Sequence, residues 1–218
     1  MNLQEAMRAR HSVRTFFNQP IEEEKKTELL SLIDKINETY GFHVQLFTEE
    51  PTAFHANKPH YGSFSGCRNY FALVAPKDRD ETVGYCGEML VLKAQQLGLN
   101  TCWVALTYSK GSVPVKTERG EKLYVVIALG YGATQGFPHK NKPLSSLCTD
   151  GPEWFRSGME AVLLAPTAMN QQKFYFSYLG ENRVRAVAKL GFYAKMDLGI
   201  AKYHFELGAG KESFLWTD

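Results

Sequence analysis

Arg10, Ser12 and Arg14 alternate within RARHSVRTF (8–16). In an extended segment, side chains two positions apart share a face. Two guanidinium forks around a hydroxyl then form charge-assisted donors suited to a phosphate, with His11 as a further donor or stacking group. The same cations also fit a simpler role, complementing the dipole at the end of a preceding helix while solvated. A second basic alternation, Lys140 and Lys142 in HKNKP (139–143), could close on the same anion or stand as a solvated loop. A third stretch, APTAMNQQKFYF (165–176), places Pro166, Thr167, Asn170, Gln171 and Gln172 after an apolar run. Its amides offer donors and acceptors and suit the edge of a heterocycle with alternating carbonyls and an N–H. Their plainer use is capping the ends of a helix and a strand. In GLNTCWVAL (98–106), Trp103 offers an aromatic wall and the N–H groups of Val104 and Ala105 could point at a ligand. The plain reading there is a helix end followed by a buried strand. YGSFSG (61–66) is glycine-rich but lacks the spacing of a nucleotide loop.

No Ser/His/Asp or Cys/His nucleophile set can be assembled by spacing, and no carboxylate pair stands out as acid and base. Anion-binding cations, amides and aromatics without a nucleophile suit a cofactor that brings its own chemistry. Six histidines without HxxxH or HExxH spacing give a metal site no support. Four cysteines without a CxxC pair read as reduced thiols. A net charge of +2 gives no bulk electrostatic argument for nucleic acid or membrane. The first residues, MNLQEAMRARHS, lack an apolar signal core, and no run approaches a membrane span, so a cytoplasmic protein is expected. At 218 residues, 44% apolar and 22% charged, the chain can bury one large core or two small ones. An aromatic content of 13% fits a flat ligand or simply a large core.

The elements that must carry these residues follow from pattern. Asn2 and Glu5 make a capping box for a helix over about residues 3–10. SVRTFF reads as extended. Pro20 and the acids after it open a second helix whose apolar face carries Leu29, Leu30, Leu32, Ile33 and Ile36. Strands are expected at 42–48, 70–75, 101–106, 122–132 and 173–179. Helices are expected at 83–99, 153–164 and 195–207, and loops at 49–66 and 138–147.

A weak internal echo runs through this order. Pro20, Glu28 and His43 map at one constant spacing onto Pro152, Glu160 and Tyr175. Gly87 and Gly98 map at a shorter spacing onto Gly199 and Gly210. A duplication would then lack, in its second copy, about twenty residues corresponding to the region near 54–70. Chance similarity explains the same matches.

Together the motifs resemble those of the FMN-dependent nitroreductases. RHSVRTF is similar to that family's N-terminal phosphate-binding signature, and APTAMNQQKFYF to its Pro-Ser-x-x-Asn-x-Gln motif. LGLNTCWV and IALGYG followed by HKNKPL are similar to two further family stretches. The resemblance implies an α+β fold, three-layered α/β/α, with a mixed, mainly antiparallel sheet and helices on both faces. It also implies an oxidoreductase that uses NADH or NADPH to reduce a nitro compound, quinone or similar acceptor by ping-pong hydride transfer through flavin N5. A flavin-binding carrier or sensor without turnover is the rival reading. By the same resemblance, Arg10, His11, Ser12, Lys140 and Lys142 hold the phosphate. Arg14 reaches the pyrimidine or ribityl side. Pro166, Thr167, Ala168, Asn170 and Gln172 flank the isoalloxazine, and Trp103, Val104 and Ala105 pass near N5. The order departs from the family's. Where its amide motif should follow the second helix, the chain reads NETYGFHVQLF (37–47), and the motif comes in the echo of that unit instead. The family's flavin sits between two subunits of a homodimer, so the expectation is a single-chain pseudo-dimer with halves 1–148 and 149–218 and one FMN site. A homodimer of such chains is also compatible with the sequence.

Overall fold

The computed structural model describes residues 1–54 and 63–217. The chain divides into two compact units, one of Met1, Ala9–Arg79 and Leu90–Phe137, the other of Asn2–Arg8, Asp80–Met89 and Pro138–Asp218. The start of the YGSFSG stretch, Tyr61 and Gly62, and much of the expected 49–66 loop lie outside the described residues.

In the first unit, α2 (Glu23–Tyr40) buries Leu29, Ile33 and Ile36. This one-face stripe at helical spacing leaves Leu30 outside, 45% exposed. Gly41 ends the helix in the left-handed conformation. Four strands follow: β1 (Gln45–Phe47), β2 (Asn69–Pro76), β3 (Asn100–Val104) and β4 (Glu121–Gly130). They form an antiparallel sheet in the order β1-β2-β4-β3. β2 reads as a continuous apolar run because it is buried along almost its whole length. β1 is shorter than expected: His43 precedes it, although its N–H donates to the Val74 carbonyl.

The segment at 12–17 is extended but belongs to no strand. Val13 N–H donates to the Thr101 carbonyl, Phe16 N–H to Ser65 and Phe17 N–H to Tyr131, while Ala133 N–H donates back to Thr15. Val13 and Phe16 thereby enter the apolar core with Tyr70, Cys102, Val104 and Val126. Gly66 makes the approach of Ser65 to Phe16 feasible. Its φ is +70°, and an added Cβ would lie 2.1 Å from the Phe16 carbonyl oxygen.

In the second unit, α4 (Glu153–Val162) and α5 (Ala194–Ala209) pack with β5 (Phe174–Tyr178), β6 (Arg183–Ala188) and β7 (Leu215–Thr217). β5 and β6 are antiparallel and β7 joins β6 in parallel. Phe205 sits in an aromatic core, with ring centroids 5.5 Å from Phe155, 5.3 Å from Phe176, 5.0 Å from Phe214 and 5.4 Å from Trp216. Helix α3 (Asp80–Gln96) contributes its first half to this unit. It approaches α5 closely: a Cβ on Gly199 would meet the Glu81 carbonyl oxygen at 1.8 Å, and one on Gly84 the Met196 carbonyl oxygen at 2.0 Å. Beside that crossing His204 Nε2 meets Glu88 Oε1 at 2.9 Å, both side chains fully buried. Helix α1 (Leu3–Ala9) starts on the expected capping box, with Asn2 and Glu5 each bonding the other's N–H at 2.9 Å.

The order helix–strand–strand–helix–strand occurs twice, as α2–β1–β2–α3–β3 and as α4–β5–β6–α5–β7. The connection between the paired strands is 48–68 in the first run and only 179–182 in the second. That shortening falls where the sequence echo changes its spacing. The two runs differ in one strand: β4 lies between β2 and β3, whereas β6 and β7 pair directly.

Candidate functional site

The expected residues fall into two groups, one in each unit. In the first unit Val13 is buried in the core, while Ser12 before it is half-buried and Arg14 after it is exposed. The Cys102 thiol reports where they go. Burial pushes that thiol up, while the Arg14 guanidinium, a hydrogen bond from Ser12 and the Arg10 guanidinium pull it the other way. The segment that carries them runs beside β3, with Ser12 bridged to Thr101 and Val13 N–H donating to the Thr101 carbonyl. Arg10 is 3% exposed, whereas Arg14 is exposed. His11 is half-buried, and the chain after β4 returns beside it at Gly136, where an added Cβ would sit 2.8 Å from the His11 Cβ. Trp103 is half-buried opposite Ile127 of β4; Val104 is buried and Ala105 half-buried.

In the second unit the basic loop and the amide loop are hydrogen-bonded to each other. Gln172, 3% exposed, accepts the Lys142 N–H on Oε1 at 2.9 Å. Its Nε2 donates to the Lys140 carbonyl at 2.9 Å and to Asn170 Oδ1 at 3.0 Å. Asn170 Nδ2 donates to the same Lys140 carbonyl at 2.7 Å. Lys142 Nζ closes the bundle on the carbonyls of Gln171 and Gln172. Desolvation, with repulsion from Lys173 and Lys189, holds this ammonium below the usual lysine range. Pro166 is buried and follows the turn that closes α4 after Val162. Thr167 Oγ1 accepts the Gln172 N–H at 3.2 Å. The chain between them bends sharply, with Met169, Asn170 and Gln172 all at positive φ.

The amides of Asn170 and Gln172 are thus committed within the protein, and what they fix is the shape of the loop. Lys140 is exposed, and Ala168 is half-buried with its N–H bonded to Asp197. Sequence reasoning passed over Asp197. Its one signal is an acid inside the apolar run MDLGIA of α5. It also passed over the Cys102 thiol, which the Ser12 hydroxyl meets. A cavity of about 370 Å³ in the first unit, lined by Asn18, Pro51, Phe54, Phe64, Cys67 and Arg68 among others, holds none of the expected site residues. Among the described residues no cluster of His, Cys, Asp or Glu could hold a metal ion. The four cysteines are free. No described helix is long and apolar enough to cross a membrane.

The donor set of the first unit fits a phosphate monoester. A dianion needs more than one charge-assisted donor in a confined place, and Arg10, Ser12 and Arg14 supply them. The second group is a rigid, polar turn whose carbonyls, Thr167 hydroxyl and Pro166 ring could border a flat ligand.

Comparison with known proteins bears on this arrangement. A family model described as "Putative TM nitroreductase" matches residues 2–209. A solved structure of a "putative nitroreductase" from Thermotoga maritima MSB8 is 26% identical, covers 97% of this chain and 85% of its own, and superposes with a TM-score of 0.67. A nitroreductase family protein from Streptococcus pneumoniae TIGR4 is 14% identical over 69% of this chain and 100% of its own, with a TM-score of 0.53. A "Putative NADH dehydrogenase/NAD(P)H nitroreductase" from Bacteroides thetaiotaomicron VPI-5482 is 18% identical over 66% of this chain and 95% of its own, also at 0.53. At those identities the last two show a shared fold. No curated protein sequence matches the chain.

Proposed function

Because the chain belongs to the family described as "Putative TM nitroreductase", we propose that it is an FMN-dependent oxidoreductase. It uses NADH or NADPH to reduce a nitro compound, a quinone or a related acceptor, in ping-pong order. The observation that carries this reading is the extended segment with Arg10, Ser12 and Arg14 held along β3, a donor set matched to the phosphate of FMN.

When bound, FMN supplies the hydride chemistry; the chain supplies position, charge and exclusion of water. Arg10, buried and held by its surroundings, is the fixed part of the phosphate grip. Ser12 adds a hydroxyl that can turn from Cys102 to a phosphate oxygen. Arg14 is more exposed and reaches further, and its cation favours negative charge on the pyrimidine edge of a bound ring. Trp103, Val104 and Ala105 continue the β3 edge along which that segment runs and offer aromatic surface and backbone N–H groups. In the second unit, taken by itself, Asn170, Gln172 and Lys142 hold the loop that presents Pro166 to Ala168, a polar turn suited to the edge of a flat ring.

We further propose that one chain carries both motif sets, the division that the resemblance assigns to two subunits of a homodimer. Native mass spectrometry that finds one FMN per monomer supports this; flavin retained only by a dimer refutes it. The phosphate assignment is tested by titrating FMN into protein stripped of flavin. Arg10→Ala and Ser12→Ala should bind FMN at least tenfold more weakly while retaining the wild-type far-UV spectrum. Wild-type affinity in both variants removes the assignment.

A further inference from the structure

Three residues of the 166–172 loop adopt a backbone conformation that side chains avoid: Met169 at φ 51°, Asn170 at 52° and Gln172 at 43°. Asn tolerates this region, but Met and Gln are held there against preference by what surrounds them. One restraint is the 140–142 segment described above. The other comes from the first turn of α5. Asp197 Oδ1 accepts the Ala168 N–H at 2.9 Å, and Oδ2 accepts Gln171 Nε2 at 2.8 Å. Gln171 also donates to the Phe192 carbonyl just before the helix. Both oxygens of a carboxylate that is 3% exposed are therefore spent on the loop. Among the described residues no lysine, arginine or histidine forms an ion pair with it. A buried, unpaired acid whose donors both come from one loop is placed to shape that loop.

We propose that Asp197 is the positioning residue of this loop: its ionised carboxylate pins residues 166–172 in the bent form, and proton uptake by it releases them. The consequence for flavin rests on the function proposed above; the clamp itself does not. An ionised carboxylate is acceptor-only and satisfies both N–H donors. Once protonated, one oxygen carries an O–H that competes with a facing N–H, and one bond must go. Burial pushes the Asp197 carboxyl up to about 6, against the opposing pull of the Ala168 N–H and Gln171, so the change falls in a mildly acidic range. The neighbouring ionisable groups are largely engaged elsewhere. On α3, Glu81 pairs with Lys202, Tyr85 donates to Glu206 and Glu88 bonds His204. Lys189, before the helix, bonds the Ser146 carbonyl. Tyr193 and Lys195 flank Asp197 on its own turn, and the loop at 166–172 has no ionisable side chain.

The test is an NMR titration of the flavin-free full chain between pH 5 and 8, following the Ala168 amide. It should shift with one midpoint near pH 6, and Asp197→Asn should abolish the shift. A flat Ala168 signal, or an unchanged titration in Asp197→Asn, overturns the clamp. Should that variant fail to fold, Gln171→Ala decides: loss of a donor that stabilises the carboxylate must move the midpoint upward, and an unmoved midpoint overturns the clamp. The link to flavin is read separately, as the ratio of FMN affinities of wild type and Asp197→Asn, which cancels the proton uptake of the FMN phosphate itself. The ratio should be about tenfold at pH 7.5 and fall towards one at pH 5. A ratio of one at both pH values, with Ala168 still titrating, overturns the role at flavin and leaves the clamp. No FMN binding at all refutes the proposed function, and the Ala168 signal still decides the clamp.

Discussion

Replacing Gln172 by methionine isolates what the buried amide contributes. Methionine keeps length and volume, and a positive φ strains it as it strains glutamine, so the backbone cost cancels. The bonds lost are Lys142 N–H to Oε1 at 2.9 Å, Nε2 to the Lys140 carbonyl at 2.9 Å and to Asn170 Oδ1 at 3.0 Å, and a long one from Nε2 to Asn141 Oδ1 at 3.4 Å. Each is worth about 1 kcal/mol net, and the exposed flanks of Lys140 and Lys142 let water replace part of them, so the expected loss is about 2 kcal/mol. Urea unfolding at pH 7 reads that loss as a lower midpoint. Hydrogen exchange reads its place, because the Lys142 amide should exchange faster while the amides of β5 do not. Gln172→Glu is the companion variant. It keeps the acceptor for Lys142 but sets a carboxylate oxygen against the Lys140 carbonyl, so Lys142 should remain protected. A loss below about 0.5 kcal/mol together with an unchanged Lys142 amide would refute the claim that Gln172 ties the two loops.

Further outcomes follow from other residues. The folded carboxyl of Asp197, at about 6 against an ordinary 3.8, binds its proton more tightly than the unfolded chain does. Its stabilisation is therefore complete below the unfolded value and lost as pH rises through 6. In urea, wild type should gain about 1 kcal/mol relative to Asp197→Asn between pH 8 and pH 5, and a gap that does not change with pH contradicts this. Arg14→Ala, an exposed change, should leave the urea midpoint in place yet weaken FMN binding about tenfold by fluorescence titration; equal affinity removes Arg14 from the grip. Gly66→Ala should lower stability by more than about 2 kcal/mol, since its Cβ would sit 2.1 Å from the Phe16 carbonyl oxygen, and a wild-type urea midpoint would show that the 12–17 segment is not held there.

Much of this architecture is visible in local pattern where local forces decide it. The capping box at Asn2 and Glu5 forms as its spacing requires, because both partners lie within one turn. The buried run of β2 and the periodicity of α3 and α5 are equally plain. Other features depend on partners far along the chain. Leu30 looks like part of the α2 core face, but the buried stripe narrows to Leu29, Ile33 and Ile36. β6 carries a weak alternating signal in RVRAVA after the turn at Gly180, and the pattern reading missed it. β7 has three residues and exists through its pairing with β6, which no local pattern encodes. At the site, the alternation of Arg10, Ser12 and Arg14 is a backbone property and was legible. The inward use of the Gln172 amide was not, since an amide that meets a ligand and one that meets a neighbouring loop are identical in sequence. Asp197 lies 29 positions from Ala168, and only the fold brings them within a hydrogen bond.

The most direct measurement is the absorption spectrum of the purified, FMN-supplemented chain before and after NADH or NADPH. Bound oxidised flavin should give a visible absorption band that bleaches with reductant and returns with a quinone. A chain that takes up no FMN contradicts it, and a flavin band that neither nicotinamide bleaches leaves a binding protein without the proposed turnover.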